Sequence, residues 1–419
     1  MKKLIGVLLV MTLAVGSLSS CFLFERNGLG NISIGGDGEG GVTINLEGGP
    51  NYEEINITST ADKNLLAASK ALLSSVSVRC TFEEYQYSWT GSQTGTTETG
   101  AAGSGVIYKL DKNSGDAYII TNYHVVYNAN STAQNGISKN IYVYLYGMEM
   151  ATSENTNYAI PAEYVGGSMS YDIAVLKVTD STVLMESNAM AVSVADSDGV
   201  TILDTAIAIG NPGDGGISAT VGNINVDSEQ IYVQFETSGG TQPVQLRVMR
   251  TDAAVNSGNS GGGLFNDKGE LIGIVNAKDA DQTVDNIGYA IPSNVAKAIA
   301  ENVIHYSDGT VKRCMLGITV GVKSYSTKYD LETGKIYKLE EVVVTELTSG
   351  AAAKGILEVG DVINSITVDG VKHEVSRIHH VVDSMLYARV GSSVVINVTR
   401  GGVKTDLTLP ITENMLTVY

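Results

Sequence analysis

The chain has 419 residues, of which 43% are hydrophobic and 17% are charged. This composition fits a folded protein of about two to three domains and argues against wholesale disorder. The formal net charge of -18 disfavours nucleic acid as a partner and disfavours purely electrostatic attachment to anionic lipid. The 47 Gly and short β-branched runs indicate β-rich structure with many turns.

The N-terminus has the pattern of an export signal. A basic start at Lys2 and Lys3 precedes an apolar run over Leu4 to Val15, which is short for a membrane span. The following Leu-Ser-Ser-Cys resembles a bacterial lipoprotein box, which implies cleavage after residue 20, lipid attachment at Cys21 and a membrane-anchored, extracytoplasmic protein. The alternative is an ordinary signal peptide that leaves Cys21 as a free thiol.

Residues 21–58 are rich in Gly, Asn and acidic residues, which predicts a flexible tether between the anchor and the folded part. Two further cysteines are present, Cys80 and Cys314. Export would place them where a disulfide can form, but two cysteines alone do not establish one. We expect them to stay unpaired, because Cys80 lies in a predicted strand and Cys314 lies at a domain boundary.

The segment 59–305 is predicted to be one mostly β domain. An amphipathic helix over 61–75 opens it, and short apolar strands separated by turns then follow as far as the end of the segment. So many strands in one segment fit two β-barrels. The clearest predicted strands are Gly105–Leu110, Ala117–Asn122, Ile141–Tyr146, Asp172–Val178, Ala206–Gly210 and Leu271–Val275.

The segment 312–415 is predicted to be a second, small α+β domain. Strands are expected near Leu316 and over Val342–Glu346, and later near Val394 and Leu407. A helix is expected over Ser376–Ala388.

Nucleophilic chemistry is indicated by the run Gly258-Asn259-Ser260-Gly261-Gly262. A reactive serine needs a tight turn and free backbone N–H groups aimed at the developing oxyanion, and flanking glycines permit both. Taken alone, the run favours a reactive serine, and the alternative is an ordinary Gly/Ser turn.

A serine nucleophile needs a base and the base needs an orienting carboxylate. Among five histidines, His124 alone lies well inside the first domain, where it follows a predicted strand. A lone histidine is often structural. Asp172 leads into the apolar run Ile-Ala-Val-Leu, and an acid at the start of a buried strand must be paired or hydrogen-bonded.

Four blocks of this sequence together resemble the signature segments of the HtrA/Deg trypsin-like serine proteases, over about residues 62–415. The blocks are Thr121–Val126, Asp172–Val178, Gly210–Pro212 and Thr251–Gly262. The resemblance implies a chymotrypsin-like double β-barrel, a triad of His124, Asp172 and Ser260, and an oxyanion hole at Gly258 and Ser260 helped by Asn259. Gly263 departs from the family, which usually has Pro or Ala there.

The resemblance also implies a specificity pocket. Ala254, six residues before Ser260, corresponds to the pocket floor in trypsin-like folds, and it carries no charge. Asn276, Ala277 and Ile287 are expected to line the walls. These residues predict cleavage after small aliphatic residues, with loose discrimination because an apolar pocket gains only ~1–3 kcal/mol per methylene.

The second domain resembles a PDZ domain. Met315-Leu316-Gly317-Ile318 is similar to the PDZ carboxylate-binding loop, which implies binding of peptide C-termini as an added strand. Residues of the predicted helix are expected to line the groove (Ile378, Val382 and Met385). The adjacent His379 and His380 point about 100° apart on a helix, so we expect a solvated pair and no metal site.

The family resemblance implies an ATP-independent endopeptidase that degrades misfolded or damaged envelope proteins, with no cofactor. The competing hypothesis is a binding protein, a chaperone or scaffold that uses the PDZ groove with little proteolysis. The family usually forms homotrimers through the start of the protease domain, where Tyr85, Tyr87 and Trp89 are candidate contacts or ordinary barrel residues.

Overall fold

The structure is a computed structural model that describes residues 32–36, 42–46, 60–148, 158–277 and 287–419. The chain divides into two compact units, residues 1–62 and residues 63–419. In the first unit, β1 (Ile32–Gly36) pairs antiparallel with β2 (Val42–Leu46), so the predicted tether contains this pair of strands. The predicted signal segment and Cys21 lie outside the described residues.

Helix α1 (Thr60–Leu72) ends three residues before its predicted end. Its termination is fixed locally, because the hydroxyl groups of Ser74 and Ser75 both donate to the Ala71 carbonyl and occupy it. Ala67 and Ala71 are buried against the core of the second unit.

Six strands of the second unit form a closed antiparallel barrel in the order β3-β4-β5-β8-β7-β6. The long hairpin β3–β4 extends beyond the barrel and carries the exposed side chains of Tyr85, Tyr87 and Trp89. The strands are β3 (Ser75–Tyr87), β4 (Gln93–Asp111), β5 (Asp116–Thr121), β6 (Asn140–Leu145), β7 (Ile160–Ser168) and β8 (Ile173–Val178).

A second closed barrel follows in the order β10-β11-β14-β13-β12-β9. Strands β10 and β11 are much longer than the others and continue as a two-stranded ribbon, which the sequence pattern did not indicate. The strands are β9 (Thr205–Gly210), β10 (Ser218–Thr237), β11 (Gly240–Thr251), β12 (Gly263–Phe265), β13 (Leu271–Asn276) and β14 (Gly288–Pro292).

Strands at the junction of the barrels are apolar on both faces, which explains their continuous hydrophobic runs. In β8, Ala174 and Leu176 face the interior of the first barrel, whereas Ile173 and Val175 pack between the barrels. The alternation of successive side chains across a strand produces this division. The residue just before β8 is thereby held at the junction between the barrels.

The C-terminal domain is a five-strand antiparallel sheet, β16-β17-β18-β20-β21, with β19 paired to β18. A separate pair, β15–β22, joins the start of this domain to the end of the chain. The strands are β15 (Lys312–Cys314), β16 (Ile318–Tyr329), β17 (Ile336–Leu347), β18 (Val362–Val368), β19 (Val371–Glu374), β20 (Ser393–Arg400), β21 (Val403–Pro410) and β22 (Leu416–Val418).

Among the described residues of the second unit, helices are few and have at most 14 residues. The predicted C-terminal helix over Ser376–Ala388 is confined to seven residues, because the backbone is extended at Arg377 and turns after Ser384. Besides α1, the helices are α2 (Tyr123–Val126), α3 (Thr182–Glu186), α4 (Ser293–Tyr306) and α5 (Ile378–Ser384). The 3₁₀ turns are Ser197–Gly199, Pro212–Asp214 and Glu413–Met415.

Cys80 and Cys314 are both buried free thiols, as expected from their separate positions. Burial raises the pKa of Cys80 to about 12 and the pKa of Cys314 to about 11, so both stay protonated at neutral pH. Among the described helices, none is long and apolar enough to cross a membrane.

Candidate active site

His124 lies at the junction of the barrels because strand β5 ends just before it. The chain leaves β5 at Thr121 and forms the one-turn helix α2, which carries the imidazole into the cleft with 17% of the side chain exposed. Nδ1 of His124 lies 2.8 Å from Oδ2 of Asp172, and the backbone N–H of His124 donates to Oδ1 at 3.0 Å. The carboxylate therefore fixes both the ring and its backbone.

Asp172 is fully buried, and its backbone has a left-handed φ of 49° at the entry to β8. This turn directs the carboxylate toward His124 and away from the apolar strand. The amide Nδ2 of Asn276 donates to Oδ2 at 2.8 Å, and Asn122 Nδ2 donates to the Asp172 carbonyl at 2.8 Å. The carboxylate oxygens therefore receive three hydrogen bonds, from the N–H and Nδ1 of His124 and from Asn276 Nδ2.

The loop that carries Ser260 is fastened to the first barrel by Ser104 on β4. The Ser104 N–H donates to the Ser260 carbonyl at 2.8 Å, and the Ser104 hydroxyl donates to the Gly258 carbonyl at 2.7 Å. The same hydroxyl accepts from the N–H of Asn211 at 2.8 Å. Sequence reasoning missed Ser104, since nothing local distinguishes a serine in a strand.

Glycine is needed at positions 258 and 261 both because the backbone has a positive φ there and because there is no room for a Cβ atom. They have φ values of 97° and 85°, and a Cβ would lie 2.2 Å from the Asn211 carbonyl oxygen at Gly258 and 2.2 Å from the Ser104 carbonyl oxygen at Gly261. Within the described residues, the backbone N–H groups of Gly258 and Ser260 donate no hydrogen bond. They remain free to bind an anionic oxygen.

The hydroxyl of Ser260 is 3.2 Å from the backbone N–H of Ala277, which donates to it. No hydrogen bond joins Ser260 Oγ to His124 within the part of the chain that the structure describes. Serine and histidine therefore lie in one cleft, with the hydroxyl oriented toward the end of β13.

Two predicted site residues have other surroundings than expected. Asn259 uses its backbone N–H to donate to the Asn256 carbonyl at 2.9 Å, so this N–H is not available to an oxyanion, and its side chain turns toward Gly210. Asn276 is buried with 2% exposure and donates to Asp172 rather than lining a pocket wall.

The remaining predicted pocket residues are exposed or partly exposed. Ala254 is exposed, and its carbonyl accepts from Thr220 Oγ1 at 2.9 Å. Ala277 and Ile287 are partly exposed, at either end of residues 278–286, which lie outside the described part of the chain.

A cavity of about 450 Å³ opens beside His124, on a side that the sequence did not indicate. The β10–β11 ribbon forms one wall, and buried Phe235 from this ribbon meets the His124 ring edge to face, with centroids 6.5 Å apart. Two carboxylates line the cavity, Glu84 from the first barrel and Glu236 from the ribbon.

The predicted carboxylate-binding loop leads into β16, which is an edge strand of the C-terminal sheet. The N–H of Met315 is already occupied by the Met415 carbonyl at 2.8 Å, which removes it from the predicted set of donors. Leu316 and Gly317, by contrast, donate no backbone hydrogen bond to any described residue. Gly317 has a φ of 73°, and Ile318 begins the edge strand.

Helix α5 contacts β16, but only some of the helix residues that we expected to line a groove are exposed. Ile378 and Val382 are partly exposed, whereas Met385 is buried in the domain core and does not line a groove. The prediction that His379 and His380 form a solvated pair is wrong. His380 is 6% exposed, His379 is half-buried, and ligand atoms of both lie close to Asp198.

Residues 103–274 match the family described as a trypsin-like peptidase domain. The chain is 32% identical to the Serine protease Do-like HtrA of Lactococcus lactis subsp. cremoris (strain MG1363) over 322 residues, which are 73% of this chain and 72% of that protein. The chain belongs to the HtrA family of serine proteases. Its mostly β fold, with a trypsin-like domain of two barrels, agrees with this membership.

Other HtrA relatives are longer than this chain. The Serine protease Do-like HtrA of Bacillus subtilis (strain 168) is 33% identical over 313 residues, covering 73% of this chain and 62% of that protein. The Periplasmic serine endoprotease DegP of Escherichia coli (strain K12) is 31% identical over 319 residues, covering 75% of this chain and 57% of that protein. The chain thus spans somewhat less than two thirds of these two relatives.

Proposed function

We propose that this HtrA-family chain is a serine endopeptidase whose nucleophile is Ser260 and whose base is His124. The observation that carries the proposal is the 2.8 Å pairing of His124 Nδ1 with buried Asp172, in the same cleft as a serine on a glycine turn. This pairing leaves Nε2 as the imidazole nitrogen that can accept a proton.

In the proposed reaction, the Ser260 hydroxyl first leaves the Ala277 N–H and turns toward His124. Oγ then bonds to the substrate carbonyl carbon as its proton moves to Nε2, and Asp172 stabilises the resulting imidazolium. The substrate oxygen becomes an oxyanion bound by the N–H groups of Gly258 and Ser260. The C–N bond breaks as Nε2 returns the proton to the leaving amine, and water releases the acyl group by the same steps.

The substrate class is proposed to be unfolded or damaged proteins of the cell envelope, cleaved after small aliphatic residues. Exposed, uncharged Ala254 supports the preference, because it offers no partner for a basic side chain. The envelope location rests on the export signal and on Cys21. Cleavage-site profiling on a peptide library tests the preference, and basic residues at the cleaved bond would contradict it.

The C-terminal domain is proposed to be a PDZ domain that captures peptide C-termini. The N–H groups of Leu316 and Gly317 can donate hydrogen bonds to a carboxylate, and the open edge of β16 can pair with the peptide. Fluorescence titration with a labelled hydrophobic peptide tests this, since amidation of its C-terminus should abolish binding.

Self-association, as a trimer, is proposed to use the tip of the β3–β4 hairpin. Trp89 is 97% exposed and Tyr87 is 63% exposed, and with Tyr85 they form a group of exposed aromatic side chains, which is typical of a protein contact surface. Mass measurement at micromolar concentration tests the assembly, and a monomer would contradict it.

The decisive experiment compares wild type with Ser260→Ala on unfolded casein. Loss of the nucleophile should reduce cleavage by about 10⁴-fold or more. Ser257→Ala is the matched control, because this exposed serine is in the same loop and should retain activity. A fluorophosphonate should label Ser260 in the wild type and in Ser257→Ala, and it should not label Ser260→Ala. Equal cleavage by both variants would contradict the proposal, and inactivity of the wild type would favour the alternative of a PDZ-based binding protein.

A further inference from the structure

Three potential metal ligands from two domains meet away from the candidate active site. Asp198 lies in a 3₁₀ turn before the second barrel, and His379 and His380 are consecutive residues of α5 in the C-terminal domain. One ligand atom from each lies within 4.8 Å of the others, and His380 Nε2 is 3.6 Å from Asp198 Oδ1.

The two imidazoles converge despite being neighbours on a helix. Their ring centroids are 4.6 Å apart and their planes are nearly perpendicular, at 86°. The helix directs the two side chains differently, but the ring orientations bring one nitrogen of each back toward Asp198. The angle between helix positions is therefore a poor guide to where imidazole nitrogens lie.

His380 is oriented by the backbone on its far side. Its Nδ1 is 3.1 Å from the Glu374 carbonyl oxygen and 3.3 Å from the Ser376 N–H. When Nδ1 carries the proton, it donates to the Glu374 carbonyl, and Nε2 presents its lone pair to Asp198. In the other tautomer, Nδ1 accepts from the Ser376 N–H, so metal binding at Nε2 requires the first tautomer. A backbone acceptor behind a histidine is the usual support of a metal ligand, since it fixes both tautomer and ring orientation.

The turn that carries Asp198 is held in place as well. The Asp196 carboxylate accepts from the Asp198 N–H at 3.0 Å and from Asn294 Nδ2 on α4 at 2.7 Å. The N–H of Asn294 in turn donates to the Ser197 hydroxyl at 3.1 Å. The Asp198 carboxylate is thus attached to a fixed backbone while remaining exposed.

The electrostatics favour neutral imidazoles, the form that binds metals. Burial lowers the pKa of His379 far below its usual range and also lowers that of His380, with the charge of Arg247 adding to both shifts. Arg247 is itself paired with Asp383, so its charge is compensated beside the cluster.

From this arrangement we propose that Asp198, His379 and His380 bind a divalent transition-metal ion, Zn²⁺ by its ligand preference, which clamps the C-terminal domain onto the second barrel. Two imidazoles and a carboxylate suit zinc, whereas Ca²⁺ and Mg²⁺ prefer oxygen-only sites. Bonds of about 2.1 Å place tetrahedral ligands about 3.4 Å apart, close to the 3.6 Å of the Asp198–His380 pair. Since the three ligand atoms lie within 4.8 Å of one another, the remaining pairs need to close by at most about 1.4 Å, and water takes the fourth position.

The test is calorimetric titration of the full chain with Zn²⁺, in the Ser260→Ala background to prevent self-cleavage. We expect one site per chain, weakened about 10-fold or more by His380→Gln, His379→Gln or Asp198→Asn. His305→Gln is the matched control, because His305 is exposed on α4, and it should leave the affinity unchanged. Co²⁺ should give the intense visible absorption of tetrahedral coordination in the parent and not in His380→Gln.

A second readout separates metal binding from misfolding. Zn²⁺ should raise the melting temperature of the parent and not that of the His379→Gln/His380→Gln double variant, whose metal-free melting temperature serves as the folding reference. Binding that is equally tight in the parent and this double variant would overturn the proposal. The absence of any binding at millimolar Zn²⁺ would overturn it too.

Discussion

Asn276 supports the pairing of His124 with Asp172 through a hydrogen bond of its own. Its amide donates at 2.8 Å to the same carboxylate oxygen of Asp172 that holds His124. Hydrogen bonds to a buried charged group contribute about 1.5–3 kcal/mol. The loss of this donor would leave the carboxylate less well fixed, and with it the imidazole.

We predict that Asn276→Ala lowers the free energy of unfolding by about 1.5–3 kcal/mol and lowers kcat by about 10-fold, with little change in KM. Urea unfolding and steady-state kinetics measure both. Asn397→Ala is the matched control, because Asn397 also donates to a carboxylate, that of Asp406, but at an exposed and remote place. Equal kinetic effects of the two substitutions would contradict the positioning role.

The sequence indicates the three residues of the proposed triad, but it does not indicate the residues that hold them in place. Ser260, His124 and Asp172 stand out because each has a local signature: a glycine turn, a strand end and an acid before an apolar strand. Ser104, Asn276 and the pair His379–His380 have no such signature. Their roles depend on partners 100 or more residues away, as in the Asn276–Asp172 hydrogen bond across 104 positions.

Among the elements, strands in the barrels are predicted well and the ribbon is not. The predicted strand Ala206–Gly210 agrees with β9, and Leu271–Val275 agrees with β13, because both are apolar on two faces. In the outer part of β10, buried Val233 and Phe235 alternate with exposed neighbours, whereas the outer part of β11 is mostly exposed, and these two parts pair with each other. The outer part of β11 lacks the periodic burial on which sequence patterns depend, so its pairing with β10 is not indicated by the sequence.

Helix α4 joins the trypsin-like domain to the C-terminal domain through one buried side chain. The Asn302 amide donates to the Lys312 carbonyl at 2.6 Å and accepts from the Lys312 N–H at 2.9 Å. It also approaches the Leu386 carbonyl at 3.3 Å. A single asparagine therefore satisfies backbone groups of the linker strand β15 and of the segment after α5.

We predict that Asn302→Ala lowers the free energy of unfolding by about 2–4 kcal/mol, because it leaves backbone groups without partners in a buried place. Thermal and urea unfolding measure the change. Lys297→Ala on the exposed face of the same helix is the control and should stay within about 0.5 kcal/mol of the parent. A similar small effect at Asn302 would contradict the bridging role.

On the scale of the whole molecule, ion pairs connect the second barrel to the C-terminal domain. Asp227 on β10 is 2.9 Å from Lys338 Nζ and 2.9 Å from Arg377 Nη1, and only 14% of its side chain is exposed. Burial raises the pKa of Asp227, but hydrogen bonds and charge from Lys338 and Arg377 outweigh it and hold the pKa below its usual range. The pairing therefore stabilises the charged carboxylate.

We predict that Asp227→Asn lowers the free energy of unfolding by about 1–3 kcal/mol at neutral pH. This value lies between the cost of breaking an exposed ion pair and that of breaking a buried one. Because the folded pKa is the lower one, this contribution is complete above the unfolded pKa of about 4 and is lost as the pH falls through the folded value. Urea unfolding at pH 7 and at pH 3 should therefore show a difference between parent and variant that shrinks at the lower pH. Glu341→Gln is the matched control: it makes the same acid-to-amide change at the exposed Lys323 pair within one sheet, and it should cost less than Asp227→Asn. Equal effects of the two substitutions at pH 7 would mean that Asp227 contributes no more than a surface pair, and its role in joining the two domains would be contradicted.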